Sequence, residues 1–267
     1  MSNRDRWTGA VLAALCGVIA MTVAVPTFAQ NADSDDYARR YIFGMPAAPD
    51  EAWVMAQGGR LYDSWWLVVQ QDYPETTHPA YPKDGAYPGT SSWRCVECHG
   101  WDYRGSDGAY GEGPHRTGIK GIDAKSGADP ATIVAILRDD THRYTPDLIP
   151  DEEALLLARF VSAGQHDITA VFDGQADIVK GDPERGRRIF QNVCAICHDY
   201  DGRAEITGEE PWLRTIGAVA QRNPWQALHK IRNGQPSADM PAMRAFDMQA
   251  SLDVLAYSRT LPVEAGE

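Results

Sequence analysis

Positive charge is scarce in this chain: 25 Lys and Arg stand against 37 Asp and Glu, a formal net charge of −12. That balance argues against nucleic acid as a partner, because a phosphate backbone is held through Lys and Arg patches. No run of five or more like charges occurs. Strand signals are also missing, since no segment alternates apolar and polar residues over the length of a strand. Long hydrophobic runs are absent beyond a single stretch, Gly9 to Val25. Cysteine is limited to five residues, and no methionine lies between Cys98 and Cys194. What remains is substantial: 267 residues, 43% of them hydrophobic, with 24 Gly and 17 Pro. A chain of this kind builds one large or two small cores, which excludes disordered and collagen-like architectures.

The one apolar stretch has a recognisable setting. Arg4 and Arg6 precede it, Pro26 breaks it, and Thr27-Phe28-Ala29 offers small residues before a polar tract. Residues 1–29 therefore read as a secretory signal peptide and the destination as the periplasm. The stretch is slightly long for such a segment and short of the roughly 20 residues that span a bilayer, so an uncleaved N-terminal membrane tether is the alternative. Cleavage would remove Cys16 together with two arginines and one aspartate, leaving four cysteines and a net charge of −13.

Those four cysteines lie in two short motifs, Cys95-Val96-Glu97-Cys98-His99 and Cys194-Ala195-Ile196-Cys197-His198. C-x-x-C-H is the attachment signature of a c-type haem. Two thiols add to the two porphyrin vinyl groups, and the histidine that follows sits beneath the iron as its proximal ligand. Zinc held by four cysteines gives no reason for a histidine after each pair. A disulfide within C-x-x-C is usually redox-active rather than structural. Two covalently bound haems c are the cofactors expected, on Cys95, Cys98, Cys194 and Cys197, with His99 and His198 on the iron.

The surroundings repeat. Gly186-Arg187-Arg188-Ile189-Phe190 leads into the second motif, and Gly59-Arg60-Leu61-Tyr62 has the same look far upstream of the first. The surplus spacing is a Pro-, Tyr- and Gly-rich segment, 67–94, which reads as an inserted surface loop. After each motif comes a helix opened by proline, at Asp129-Pro130 and at Asn223-Pro224. Each half then closes with a further helix, one starting at Asp151 and ending near Gly164, the other running from Met248 towards Pro262. The expected fold is all-α, two tandem helical domains each wrapped on one haem. Residues 30–165 form the first, 166–183 the linker and 184–267 the second.

On these residues the chain resembles tandem di-haem cytochromes c of the class I type. The likeness runs from Gly186 to Leu261 in the second half. In the first it is confined to Gly59–Tyr62, Cys95–His99 and the helices after Asp129. The resemblance implies electron transfer in the periplasm and a sixth iron ligand on a loop before the last helix. Met240, 42 residues after His198 and followed by Pro241, occupies that place in the second half, with Met243 as the alternative. The first half has no methionine there. His142, 43 residues after His99, falls where the loop belongs, with His115, Met45, Met55 or an open site as alternatives. Thioether ligation raises a haem's potential relative to imidazole, so the two haems should differ.

The reading that follows is an electron carrier, or the cytochrome subunit of a redox complex, whose acidic surface meets redox partners with basic docking surfaces. The alternative is a di-haem oxidoreductase, thiosulfate dehydrogenase-like or peroxidase-like, with its chemistry at the first haem. A cysteine ligand of the kind found in the thiosulfate enzymes is not available once Cys16 is gone.

Overall fold

A computed structural model of the chain describes residues 46–167, 171, 180–206 and 212–265, all within one compact unit from Ser34 to Glu267. The expected signal peptide, Cys16, Met45 and most of the expected linker lie outside the described residues. Among those described, no helix is long and apolar enough to cross a membrane. Extended pairing there is limited to one antiparallel bridge, Gly105 with Lys120.

Among the described residues, four α-helices precede residue 168: α1 (Glu51–Val69), α2 (Cys95–His99), α3 (Pro130–Leu137) and α4 (Asp151–Arg159). Among those after residue 180 there are five: α5 (Pro183–Ile189), α6 (Ala195–His198), α7 (Ile216–Arg222), α8 (Pro224–Asn233) and α9 (Met248–Ser258). Their starts follow from side-chain capping, which satisfies backbone N–H groups that have no partner in the first turn. Asp50, Asp129, Asp182, Thr215, Asn223 and Asp247 each accept such a bond at the head of a helix. Proline opens α3, α5 and α8, where its missing N–H costs nothing.

The same helix crossing occurs twice. A Cβ on Gly58 in α1 would overlap the Leu156 carbonyl and the Phe160 Cβ at the end of α4; a Cβ on Gly186 in α5 would overlap the Asp253 carbonyl and approach the Tyr257 Cβ of α9. Four residues beyond each glycine an aromatic ring packs on that second residue, Tyr62 on Phe160 at 5.7 Å and Phe190 on Tyr257 at 5.3 Å. The structural counterpart of Gly186 is thus Gly58, one position before the Gly59 suggested by the sequence alignment of the two halves.

Gly59 serves another contact. A Cβ there would overlap the Asn233 side chain of α8, so adjacent glycines let α1 press on α4 with one face and on α8 with the next. Between α1 and α8 the core is polar. His229 donates from Nε2 to the Gly59 carbonyl at 2.9 Å, which leaves Nδ1 to accept from the Tyr103 hydroxyl at 2.9 Å. Asp63 meets Arg94 at 2.6 Å and also Lys230. Burial raises the Asp63 pKa, but the Lys230 ammonium and the Arg94 guanidinium outweigh it and the carboxyl ends below its ordinary value. Trp101 lies beneath both cations, 5.9 Å from Arg94 and 5.3 Å from Lys230.

The inserted segment is mostly the surface loop expected, with residues 70–77 and 82–91 exposed or half-buried. Helix α1 takes its first residues, running on to Val69, and His78, Tyr81 and Trp93 anchor the rest as buried side chains. Trp93 donates to the Thr76 carbonyl at 2.7 Å, and Trp65 to the Trp93 carbonyl at 3.0 Å. Proline and glycine gave the segment a loop signature, but its aromatic rings supply enough apolar area to fix it on the core.

Candidate functional site

The first motif forms α2, a little over one turn of helix whose end is set by Gly100 in a left-handed conformation, φ 79°. The chain after it is cinched: the Gly105 amide donates to the His99 carbonyl at 2.9 Å and Ser106 to the Ile119 carbonyl at 2.8 Å. Gly105 has φ 53° and no room for a Cβ against Ile119, so this turn requires glycine. The result is that the Lys120 carbonyl stands 2.7 Å from His99 Nδ1. A carbonyl only accepts, so Nδ1 carries the proton and the Nε2 lone pair is left to face a metal. Burial keeps this imidazole neutral, lowering its pKa to about 4.

His142 is brought to the same cavity, which Cys95, Cys98, His99, Tyr62 and Tyr144 also line. Its ring centroid lies 6.3 Å from that of His99, with 25° between the ring planes. Asp139 Oδ1 organises the approach, accepting from the Thr141 amide at 2.9 Å, the His142 amide at 2.8 Å and His142 Nδ1 at 3.1 Å. The carboxylate takes the Nδ1 proton, which leaves Nε2 as the ring nitrogen free to meet a metal. Those bonds to the charged form, the His142 amide first, hold the Asp139 pKa below its ordinary value.

His78, from the inserted segment, completes the loop. Its Nδ1 accepts from the Ala80 amide at 3.1 Å, which leaves Nε2 to donate to the His142 carbonyl at 2.8 Å. Nothing in the sequence distinguished His78, Asp139 or the Lys120 carbonyl, and a backbone carbonyl leaves no signal at all. The two alternatives to His142 that lie among the described residues are engaged elsewhere. His115 is stacked between Tyr87 and Tyr110, at 4.4 and 4.8 Å, and meets Glu97 at 3.2 Å. Met55 is buried in the core beside Gly164.

The second motif spans the end of a wider, π-helical turn (Phe190–Cys194) and α6. Cys197 is exposed and Cys194 half-buried, the Cys194 thiol being pushed up to about 11, mainly by burial. His198 Nδ1 is buried with no hydrogen-bond partner, and burial lowers the His198 pKa. Met240 is half-buried on the loop between α8 and α9, whereas Met243 is packed in the core with its amide on the Ile231 carbonyl at 3.0 Å.

The donor chemistry fits covalent haem. None of Cys95, Cys98, Cys194 and Cys197 is in a disulfide. Burial pushes the Cys95 and Cys98 thiols up to about 12, so as free groups they are protonated and inert. Among the described residues no three His, Cys, Asp or Glu side chains converge on a bare metal ion, which removes the four-cysteine zinc reading. Paired thiols each followed by a half-buried histidine whose pKa is lowered match attachment and proximal ligation together.

Residues 181–257 match the family described as cytochrome C oxidase, cbb3-type, subunit III. Among curated proteins, the "Cytochrome c-553-like" protein of Synechocystis sp. is 35% identical over 85 residues, which is 31% of this chain and 72% of that relative. The family match contains the second motif and Met240. With its helical fold, its attachment motifs and that degree of identity, the chain belongs to the c-type cytochromes, electron-transfer proteins that carry covalently bound haem c.

Proposed function

We propose that the chain is a periplasmic di-haem cytochrome c that passes single electrons between redox protein partners. One haem would be held by Cys95 and Cys98 between His99 and His142, the other by Cys194 and Cys197 between His198 and Met240. Each covalent haem supplies a one-electron ferric/ferrous couple, and the protein sets its potential through the ligands and their surroundings. Two tandem units, 30–165 and 184–267 joined by 166–183, carry this arrangement, and the doubled glycine–aromatic crossing supports it.

The observation that carries the reading is the pair His99 and His142. With roughly 2 Å from a metal to each imidazole nitrogen and about 1 Å more to the ring centre, two imidazoles on opposite sides of one metal hold their centroids about 6 Å apart. The observed 6.3 Å fits that arrangement. Both rings also have their Nδ1 engaged by oxygen acceptors, the usual support of a metal-bound histidine. Were His99 and His142 both to hold the first haem, no position would be left there for a substrate, which favours the carrier over the oxidoreductase. The net charge of −12 favours partners with basic docking surfaces.

The test is direct. Protein made in a cell competent for cytochrome c maturation should weigh the polypeptide plus two haems, and the colour should survive acid–acetone extraction. Near-infrared spectra of the ferric form should show one bis-imidazole and one imidazole–thioether haem. A mass with one haem would overturn the di-haem reading.

A further inference from the structure

The loop expected to supply the second centre's thioether is not held by its own half alone. Within that half, Arg232 Nη1 donates to the Met243 carbonyl at 2.8 Å and the Phe246 carbonyl at 2.9 Å. Further support comes from the other half. Arg60, buried in α1, donates from Nε to the Asn233 carbonyl at 2.8 Å and from Nη2 to the Met240 carbonyl itself at 2.9 Å. Those two acceptors are the last residue of α8 and the ligand residue, the two ends of the loop's first arm. Arg244, four residues past Met240, closes a second tie: its Nε reaches Asn233 Oδ1 at 2.8 Å and its Nη2 the Gly164 carbonyl of the first half at 2.6 Å.

The geometry around Arg60 looks built for this purpose. Gly234 has φ 81° and no space for a Cβ against the Arg60 guanidinium or the Met240 carbonyl, so the chain turns away from α8 directly over the arginine. Gly59 lets α1 approach Asn233 closely enough for the neighbouring Arg60 to reach past it. Arginine's planar fork can bridge two carbonyls at fixed separation, which a lysine ammonium cannot do with the same orientation.

We infer that Arg60 is a positioning residue for the second haem: by pinning the Met240 carbonyl from the first half, it makes thioether ligation in the second half depend on the docking of the two. The inference rests on the reading of Met240 as sixth ligand. Detaching the thioether requires the loop to swing, and the swing breaks the Arg60 bond to Met240. Bonds from a buried cation are strong enough that losing them should change the ratio of attached to detached thioether on the order of tenfold or more.

The experiment uses the full-length di-haem protein. Arg60→Met keeps the length and apolar stem and removes all donors; Arg60→Lys keeps the charge and loses the fork. The readout is the weak sulfur-to-iron charge-transfer band of the ferric protein, followed through a pH titration in which stronger ligands displace the thioether. In Arg60→Met the band should be weakened or should disappear at a pH lower by about one unit or more, and one haem's potential should fall. Arg60→Lys should lie between Arg60→Met and wild type. The bis-imidazole signature of the other haem should not move, which a general loss of structure would not spare. Should Arg60→Met fail to fold, Arg60→Lys decides: a band and a displacement pH equal to wild type overturn the inference. Met240→Ala is measured alongside. If that variant keeps the band, Met240 is not the ligand and the function reading fails at this site, taking the inference with it. If Met240→Ala loses the band while both Arg60 variants keep it, the ligand stands and only the role of Arg60 is refuted.

Discussion

Two imidazoles face each other across the first cavity, each with its Nδ1 committed to an oxygen acceptor. His99 is committed to a carbonyl of its own cinched loop and His142 to a carboxylate three residues back. The consequence is testable one residue at a time. His142→Ala should leave the first iron with water or nothing on one face, moving one haem's ferric spectrum towards high spin and admitting cyanide or imidazole. Asp139→Ala should keep the ligand but loosen its orientation, so that exogenous imidazole displaces it about 10–100-fold more readily. Absorption titrations with imidazole check both; a low-spin His142→Ala protein with unchanged affinity would count against the pair. Much of this site could be read from the sequence. The motifs named the four cysteines and two histidines, and the missing methionine with the 43-residue spacing drew attention to His142. The groups that orient those histidines could not be read, because a carbonyl belongs to every residue and Asp139 looks like any surface acid. His78 carries no motif either, and its role lies in a hydrogen bond to the loop that presents His142.

Helices show the same division between what composition announces and what packing decides. Proline and Asp or Asn marked the starts of α3 and α8 because capping is local chemistry, legible in a few residues. The crossing glycine was misplaced by one, since Gly58 and Gly59 are indistinguishable until their neighbours are known. Substitution separates their duties. Neither Gly58 nor Gly186 has positive φ, so alanine is acceptable to the backbone and the cost is steric, against a carbonyl that cannot rotate away. Gly58→Ala and Gly186→Ala should each destabilise by about 1–3 kcal/mol, read as a lower urea midpoint. Gly59→Ala meets only the Asn233 side chain. It should cost less in global stability while disturbing the contact between α1 and α8.

At the scale of the whole molecule, the seam between the halves makes stability depend on pH. His229 is fully buried, and burial lowers its pKa to about 3 despite Asp63 nearby; His166, buried with neither ring nitrogen partnered, is lowered well below its ordinary value by the same cause. An unfolded histidine titrates near 6.5, so between that value and the folded one the unfolded chain binds more protons. Stability is therefore whole above about pH 6.5 and falls as the pH drops, by up to about 1.4 kcal/mol per unit for each histidine. Denaturant unfolding of the holoprotein at stepped pH checks this. The slope between about pH 6.5 and 4 should be shallower in His229→Gln, and an identical slope would show that another group dominates.

The bond from Arg60 to the Met240 carbonyl joins residues 180 positions apart, and that distance along the chain has a consequence for the order of assembly. The histidines of the first centre lie 43 residues apart and can find each other while the rest of the polymer is still arriving. Long-range contacts come later in folding, because loop-closure entropy is spent before they return any energy. A protein delivered N-terminus first completes its early segment first. The two centres would then mature at different times: the imidazole pair closes early and locally, and the thioether settles as one of the last events, when the seam between the halves has formed.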